Sequence, residues 1–450
     1  MSAAARRAWA TRFGRLVAAD ADRLADLAAS EIAKPAWETL VSDVMPLVAA
    51  CRWHAKHARR VLRSRRLPGR PLWLLGQHAR THRVPLGRVG IIATWNYPLQ
   101  LLGVQLLQAV VAGNRVVVKP SERTPRTQGR LLELARAAGL SETDLEMRPA
   151  DRDAGAALLR EPDLDHVVFT GSTPVGRRVA EACAERLLPS TLELSGCDSA
   201  IVLDDADPAL AARTIWAGLT LNHGRTCMAP RRVLVHRSIA AAFAAAIVPP
   251  ATGAAPRSLA DPKAAARHRE LVADAAARGA RLVSTEDAPD GDRVRAQVLI
   301  DCPTDAEAFS ADHFGPLVVT AAYDDDEELL RLHRLGGKHL ATSVFTRDPR
   351  RAERLAPRLG SGIVTINDTI VPTAHPAAPI PAVGDAGWGA SQGIEGLLAM
   401  TRPVVVTRTG RLRPPPGEPD PRSLGALRSL VRWWGRGVSP PPISDPTDGL

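Results

Sequence analysis

Three polar side chains stand where a chain of this kind does chemistry. Cys227 closes the run Asn222-His223-Gly224-Arg225-Thr226-Cys227. An apolar, helix-like segment (214–221) and a glycine-containing turn precede it, so the thiol belongs at a loop end and not in mid-core. Glu193 lies in Thr191-Leu192-Glu193-Leu194-Ser195-Gly196. That short apolar run reads as a strand carrying an acid to its carboxyl end, where open α/β sheets keep their ligands. A thiolate that attacks a carbonyl, and a carboxylate that activates water to hydrolyse the resulting thioester, are the two parts of one covalent mechanism. Each residue alone also has a plain structural reading, as a small buried hydrophobe and as a surface charge. A free thiol titrates near about 8.5, so a site working at neutral pH is expected to lower that value.

The third polar group is Asn96, in Thr94-Trp95-Asn96-Tyr97-Pro98. At the end of a strand its side-chain NH2 can face developing negative charge, as an oxyanion donor does, or it can cap the helix that Pro98 opens. Two further segments suit a nucleotide. In Lys119-Pro120-Ser121-Glu122 a lysine at a strand's carboxyl end can meet ribose hydroxyls, and a glutamate can accept from the 2′-OH while repelling a 2′-phosphate; a surface turn would read the same. In Phe169-Thr170-Gly171-Ser172-Thr173-Pro174-Val175-Gly176, two glycines at a strand-to-helix junction allow close approach to a pyrophosphate at a helix N-terminus.

The elements needed to hold these groups are legible as alternation. Residues 3–70 show helical spacing, and 71–86 reads as a hairpin. Strand 88–93, helix 98–112 and strand 115–118 make a βαβ unit, continued by helix 127–138, strand 165–169, helix 175–185 and strand 191–194. The pattern restarts at 200–203 and runs to 366, 372–396 reads as a long Pro- and Gly-rich loop, and 403–406 is a last strand. This is an α/β chain with parallel sheet.

At 450 residues the chain exceeds one ordinary hydrophobic core, and its 45% hydrophobic and 24% charged content is that of a globular protein. The net charge of +10 is almost all arginine. The cluster at 59, 60, 63, 65, 66 and 70 has no nucleic-acid motif or aromatic platform beside it, so it reads as a solvated helix face and no nucleic-acid partner is expected. Five scattered cysteines with no Cys-x-x-Cys argue against a disulfide framework or a zinc site and fit a reducing cytoplasm. The pairs His54/His57 and His78/His82 lack a carboxylate or cysteine to complete a metal shell and read as surface histidines. No signal peptide or run of about 18 apolar residues is present.

Trp-Asn-Tyr-Pro (95–98), Val-Lys-Pro-Ser-Glu (118–122), Phe-Thr-Gly-Ser-Thr-Pro-Val-Gly (169–176), Leu-Glu-Leu-Ser-Gly (192–196), Asn-His-Gly-Arg-Thr-Cys (222–227) and Phe-Gly-Pro (314–316) occur in the order and approximate spacing of the NAD(P)-dependent aldehyde dehydrogenase superfamily. The likeness covers about residues 20–408. Gly-Ala-Ser-Gln-Gly at 389–393 makes it most similar to the short, class-3-like branch. The resemblance implies a Rossmann-type cofactor domain (1–196, with the 72–86 hairpin projecting to an oligomerisation element), an α/β catalytic domain (197–376) and a return segment with an oligomerisation strand (377–408). It implies that Cys227 is the nucleophile, Glu193 the general base, and Asn96 the oxyanion donor together with the Cys227 N–H. Lys119, Ser121 and Glu122 would hold the adenosine ribose, and Gly171, Ser172 and Gly176 would serve the pyrophosphate. Trp95, Leu194, Asp312 and Phe314 would surround the remainder, with Asp312 standing where a Glu usually meets the nicotinamide ribose. The cofactor implied is NAD, with NADP an open alternative, the substrate an aldehyde, the assembly a homo-oligomer, dimer first.

The chain departs from the family pattern at Ser195 for Gly, Cys197 for Lys, Arg225 for Gln, Asp312 for Glu, and along 381–388. A cation at 225 can stabilise the thiolate, meet an acidic substrate or point outward. These departures leave a second reading, a low-activity cofactor-binding scaffold recruited by its tail. That tail, 409–450, brackets a basic amphipathic segment, 423–438, between two Pro-Pro-Pro runs. It reads as docking on the protein's own body or a neighbouring subunit, or as a weak peripheral contact with a membrane.

Overall fold

The computed structural model describes residues 1–71, 74, 76–283, 291–337, 340–410 and 420–435. They fall into two compact units, one of residues 1–64 with 82–404, the other of residues 65–81 with the chain from 405 on.

The larger unit holds two sheets. The first has six strands in the order Gly387–Trp388, Ser190–Leu194, His166–Gly171, Arg88–Ile92, Arg115–Lys119 and Leu145–Met147, parallel throughout except for the edge strand Gly387–Trp388. Val116, Val117 and Val118 are all buried because helices cover both faces, which is why the strands read as continuous apolar runs. One face packs on the N-terminal helices Ala3–Ala19 and Met45–Val61 and on Gln100–Ala112 and Pro125–Ala137; the other packs on Thr173–Glu185. The second sheet has seven strands, in the order Arg281–Leu282, Gln297–Ile300, Leu317–Tyr323, Arg232–His236, Ser199–Val202, Ala341–Phe345 and Ile363–Ile366, all parallel but the first.

Tertiary contacts overrode the sequence reading at several places. The 372–396 segment is not simply a loop: Ile380–Pro381 pairs with Ala390–Ser391, Gly387–Trp388 joins the first sheet, and Gly393 opens a helix to Ala399. These pieces are too short for periodicity to reveal. Helix Arg237–Thr252 continues through Pro249-Pro250. His54 is buried, not at the surface, with its ring nitrogens on Ala50 O (2.9 Å) and the Gln108 amide (3.2 Å).

In the smaller unit Arg65–Arg66 pairs antiparallel with the strand Gln77–Pro85, so that strand's partner lies upstream of the segment read as a hairpin. Residues 72, 73 and 75 of that segment lie outside the described residues. Thr401–Thr409 completes a three-stranded sheet. The tail helix runs Pro421–Trp434, capped by the Asp420 carboxylate on the Arg422 and Ser423 N–H groups (2.8 and 3.0 Å). Positions 436–438 of the expected helix lie outside the described residues.

Candidate active site

The Cys227 loop begins where helix Pro208–Thr220 ends. Asn222, His223 and Gly224 all take left-handed backbone conformations, with φ of 48°, 57° and 74°. Three in succession are unfavourable for L-residues and persist only where surroundings dictate them. Gly224 is required twice over, since a Cβ there would lie 2.4 Å from Gly315 C and Pro316 N. The Asn222 N–H donates to Glu38 Oε2 (2.7 Å), its side-chain amide donates to Asn96 O (2.7 Å), and its carbonyl accepts from the Arg225 N–H (3.0 Å).

Arg225 turns inward, against the expectation that it meets the thiolate, a substrate or solvent. The fully buried guanidinium donates to Asn222 O (2.9 Å), Asn222 Oδ1 (3.0 Å), Ile32 O (2.7 Å) and Leu259 O (3.3 Å) and lies over the Trp95 ring. Burial pulls its pKa down to about 10, against the attraction of Glu38. Beside it Lys34 pairs with Asp43 (2.5 Å), donates to Asn96 O (3.3 Å) and sits over the Tyr97 ring. The other Asp43 oxygen accepts from the Leu99 and Gln100 N–H groups (3.1 and 3.0 Å). Asp43, and not Asn96, therefore caps helix Gln100–Ala112. Lys34, Glu38 and Asp43 escaped the sequence reading, since Lys34 lies in the link 33–35 between helices and Glu38 and Asp43 read as ordinary polar helix positions.

Asn96 is thereby left for the cavity. Its Oδ1 accepts from Thr94 Oγ1 (3.2 Å) and its Nδ2 donates one hydrogen to Arg225 O (2.9 Å), which leaves the second N–H. Glu193 stands one residue from the end of Ser190–Leu194, where its Oε2 accepts from Gln105 Nε2 (3.5 Å) and Thr170 Oγ1 (3.4 Å). Oε1 has no hydrogen-bond partner among the described residues. Burial pushes the Glu193 carboxyl up to about 7, with Ser391, Thr170 and Gln105 pulling the other way. The Cys227 thiol goes against the expectation of a lowered value. Burial first, then the charges of Asp198 and Glu193, push it up to about 12, offset in part by Arg231 and the Met228 N–H. Sequence reasoning also missed Arg231, which donates to Gly196 O (3.4 Å) and Thr226 O (3.0 Å) and so straps the Glu193 strand to the Cys227 loop.

A cavity of about 950 Å³ opens on all three groups. Trp95, Lys119, Ser121, Glu122, Gly171, Ser172, Leu194, Asp312 and Phe314 line it as well. Gly176 does not reach it. A Cβ there would lie 2.3 Å from Leu194 Cδ2, so this glycine lets helix Thr173–Glu185 lie against the Glu193 strand. The remaining features fit a dinucleotide. Ser172, the N-cap of that helix, makes no side-chain cap bond, which leaves its hydroxyl and the helix N-terminus for phosphate. Lys119 Nζ meets Glu122 Oε2 (3.2 Å), while Arg152 holds the other carboxylate oxygen (3.1 Å). Trp95 meets Phe314 edge-on, with ring centres 5.8 Å apart.

Among the departures, Ser195 is buried in the cavity wall, and Cys197 is buried with its thiol toward Phe309 O (3.7 Å). The altered 381–388 segment supplies the edge strand that places Gly387 opposite Glu193. None of these displaces Cys227, Glu193 or Asn96 from the cavity wall.

The chain matches the family model described as aldehyde dehydrogenase family over residues 1–406. It is 35% identical to a probable coniferyl aldehyde dehydrogenase of Pseudomonas aeruginosa over 82% of this chain and 79% of that protein. To a benzaldehyde dehydrogenase (NAD+) of Pseudomonas putida it is 34% identical, over 68% and 65%. A solved Mycobacterium tuberculosis aldehyde dehydrogenase complexed with NAD+ superposes with a TM-score of 0.85 at 28% identity, covering 92% of this chain and 87% of that one. With its parallel sheets, its thiol, acid and amide on one cavity, and these relatives, the chain belongs to the aldehyde dehydrogenase family, enzymes that oxidise aldehydes.

Proposed function

We propose that Cys227 is the nucleophile of aldehyde oxidation, Asn96 the oxyanion donor and Glu193 the base. The observation that carries this reading is their convergence on one cavity, with Asn96 held by Lys34, Asn222 and Arg225 and spared from helix capping. Cys227 attacks the aldehyde carbon, and the spare Asn96 N–H meets the charge that develops on the aldehyde oxygen. The thiol is protonated at neutral pH, so its proton must leave as the carbon–sulfur bond forms. Glu193, held up to about 7, is the base in the cavity whose range matches that task. A bound nicotinamide would supply hydride acceptance, the oxidation that a thiohemiacetal on Cys227 needs to become a thioester. Glu193, once it has passed the thiol's proton to solvent, takes the proton of the water whose oxygen attacks the thioester, and the Cys227 sulfur leaves as thiolate while the carboxylic acid is released. Lys119 and Glu122 would hold the adenosine ribose, Ser172 and the Thr173–Glu185 N-terminus the pyrophosphate, and Asp312 the nicotinamide ribose.

The substrate class is an apolar or aryl aldehyde. Its support is the naming of relatives for coniferyl aldehyde and benzaldehyde, and the Leu101, Met228, Phe314 and Ile380 side chains around the cavity. Residues 1–196 serve as cofactor domain and 197–376 as catalytic domain. The assembly is a homo-oligomer, dimer first, supported by exposed Val405 and Val406 on Thr401–Thr409; the five free cysteines suit a reducing cytoplasm. NADH formation from a panel of aliphatic and aryl aldehydes, by wild type and Cys227→Ala, tests the assignment. Turnover confined to the wild type supports it, and equal turnover by both removes Cys227 from the mechanism. No observation favours the low-activity scaffold.

A further inference from the structure

We propose that the helix Pro421–Trp434 is a docking face for a bilayer surface carrying anionic lipids. Its spacing puts Leu424, Leu427, Leu430 and Val431 on one side and Arg422, Arg428 and Arg432 on the other. None of its residues is buried; Val431 is 66% and Leu427 49% exposed. A helix that met only water would have no reason to collect apolar side chains on one side. Trp433, 54% exposed, stands between the two sides, where an indole suits a headgroup boundary.

Charge selects the occupant. The helix contains no acidic residue, and the adjacent Asp420 carboxylate is engaged as its cap. The same helix of a second copy has no acidic residue either, so it would cover the apolar side and give these arginines no partner. Anionic headgroups accept the same arginines, whose aliphatic stems lie along the apolar layer while the guanidinium groups reach outward. Fourteen residues span about 21 Å, and among the described residues no helix is long and apolar enough to cross a membrane, so this one would lie in the interface plane. The proposal is independent of the catalytic assignment, because none of these residues lines the cavity.

Flotation of the full chain with vesicles of phosphatidylcholine alone and of phosphatidylcholine mixed with phosphatidylglycerol provides the test. Three arginines at an anionic surface predict roughly a hundredfold stronger partition onto the mixed vesicles, weakening as salt is added. Leu427→Asp/Val431→Asp and Arg428→Glu/Arg432→Glu should each lose at least about tenfold of that partition. NADH formation in solution should be unchanged in both, which shows that the body is folded. Absence of wild-type flotation, or flotation undiminished in both double variants, overturns the proposal. So does an apolar-face variant that changes the oligomeric mass by light scattering and leaves flotation intact, since the face would then cover a second copy.

Discussion

The two sides of the Cys227 loop are built on opposite rules. Behind it, buried ionisable groups are engaged, although Nε2 of His223 on the loop itself has no hydrogen-bond partner among the described residues. Lys34 meets Asp43, Glu38 accepts from Asn222, and Arg225 spends its guanidinium on four oxygen contacts. In front, among the described residues, Glu193 Oε1 and both ring nitrogens of His313 have no hydrogen-bond partner, and burial and Arg231 pull the His313 pKa well down. A buried polar atom with no partner costs on the order of 1–3 kcal/mol, so its survival in a cavity wall marks a group kept for a ligand. Rigidity is placed behind the reactive groups and unused hydrogen-bonding capacity in front of them, which is how a site is organised before substrate arrives.

The sharpest way to break this comparison is at the front. Cys227→Ala should cut steady-state NADH formation by more than about a thousandfold while leaving the melting temperature nearly unchanged, because no buried ion pair depends on the thiol. Glu193→Gln should lower turnover by about a hundredfold or more. In the wild type, kcat should rise with pH through about 7, and the variant should lose that limb. Stability carries the same signature. The folded carboxyl is raised above its ordinary 4.5, so the folded state holds the proton more tightly than the unfolded chain. The wild type should therefore lose stability relative to Glu193→Gln as pH climbs from 4.5 through about 7, measured by denaturant titration at several pH values. Asn96→Ala should reduce kcat by roughly a hundredfold, more than it changes KM, if its second N–H serves the oxyanion.

At the rear the order of effects reverses. Arg225→Met leaves the Asn222 side chain and the Ile32 and Leu259 carbonyls short of a donor and should cost about 3 kcal/mol of stability, read as a lower urea midpoint, with a smaller loss of turnover. If Arg225→Met instead abolishes activity with the melting temperature preserved, the division between support and chemistry fails. The smallest effect belongs to Gly176→Ala. The added methyl must push Leu194 aside and should cost about 1–3 kcal/mol, with cofactor affinity lowered through the shifted helix.

How far the sequence reaches differs by element. Strands 88–93, 115–118 and 191–194 were legible because parallel strands covered on both faces become short apolar runs, and their observed counterparts differ by one residue or so at the ends. The edge strand Gly387–Trp388 was illegible, since two residues have no period and it is fixed by the strand it joins. In the site, Cys227, Glu193 and Asn96 were legible from residue type and position at element ends. The direction of Arg225 was not, because an arginine reads as a surface charge until carbonyls from residues 32, 222 and 259 are brought around it.

By itself the sequence determined the parallel α/β architecture, the family, and which thiol, acid and amide stand at element ends, since local periodicity and side-chain type survive without knowledge of neighbours. Only the tertiary structure decided what those groups are in place. Burial raised the thiol where a lowered one was expected, Asp43 took the helix cap and freed Asn96, and Gly176 became a packing glycine instead of part of the cavity wall. Desolvation and hydrogen-bond competition depend on segments far apart in the chain, and those distances exist only once it has folded.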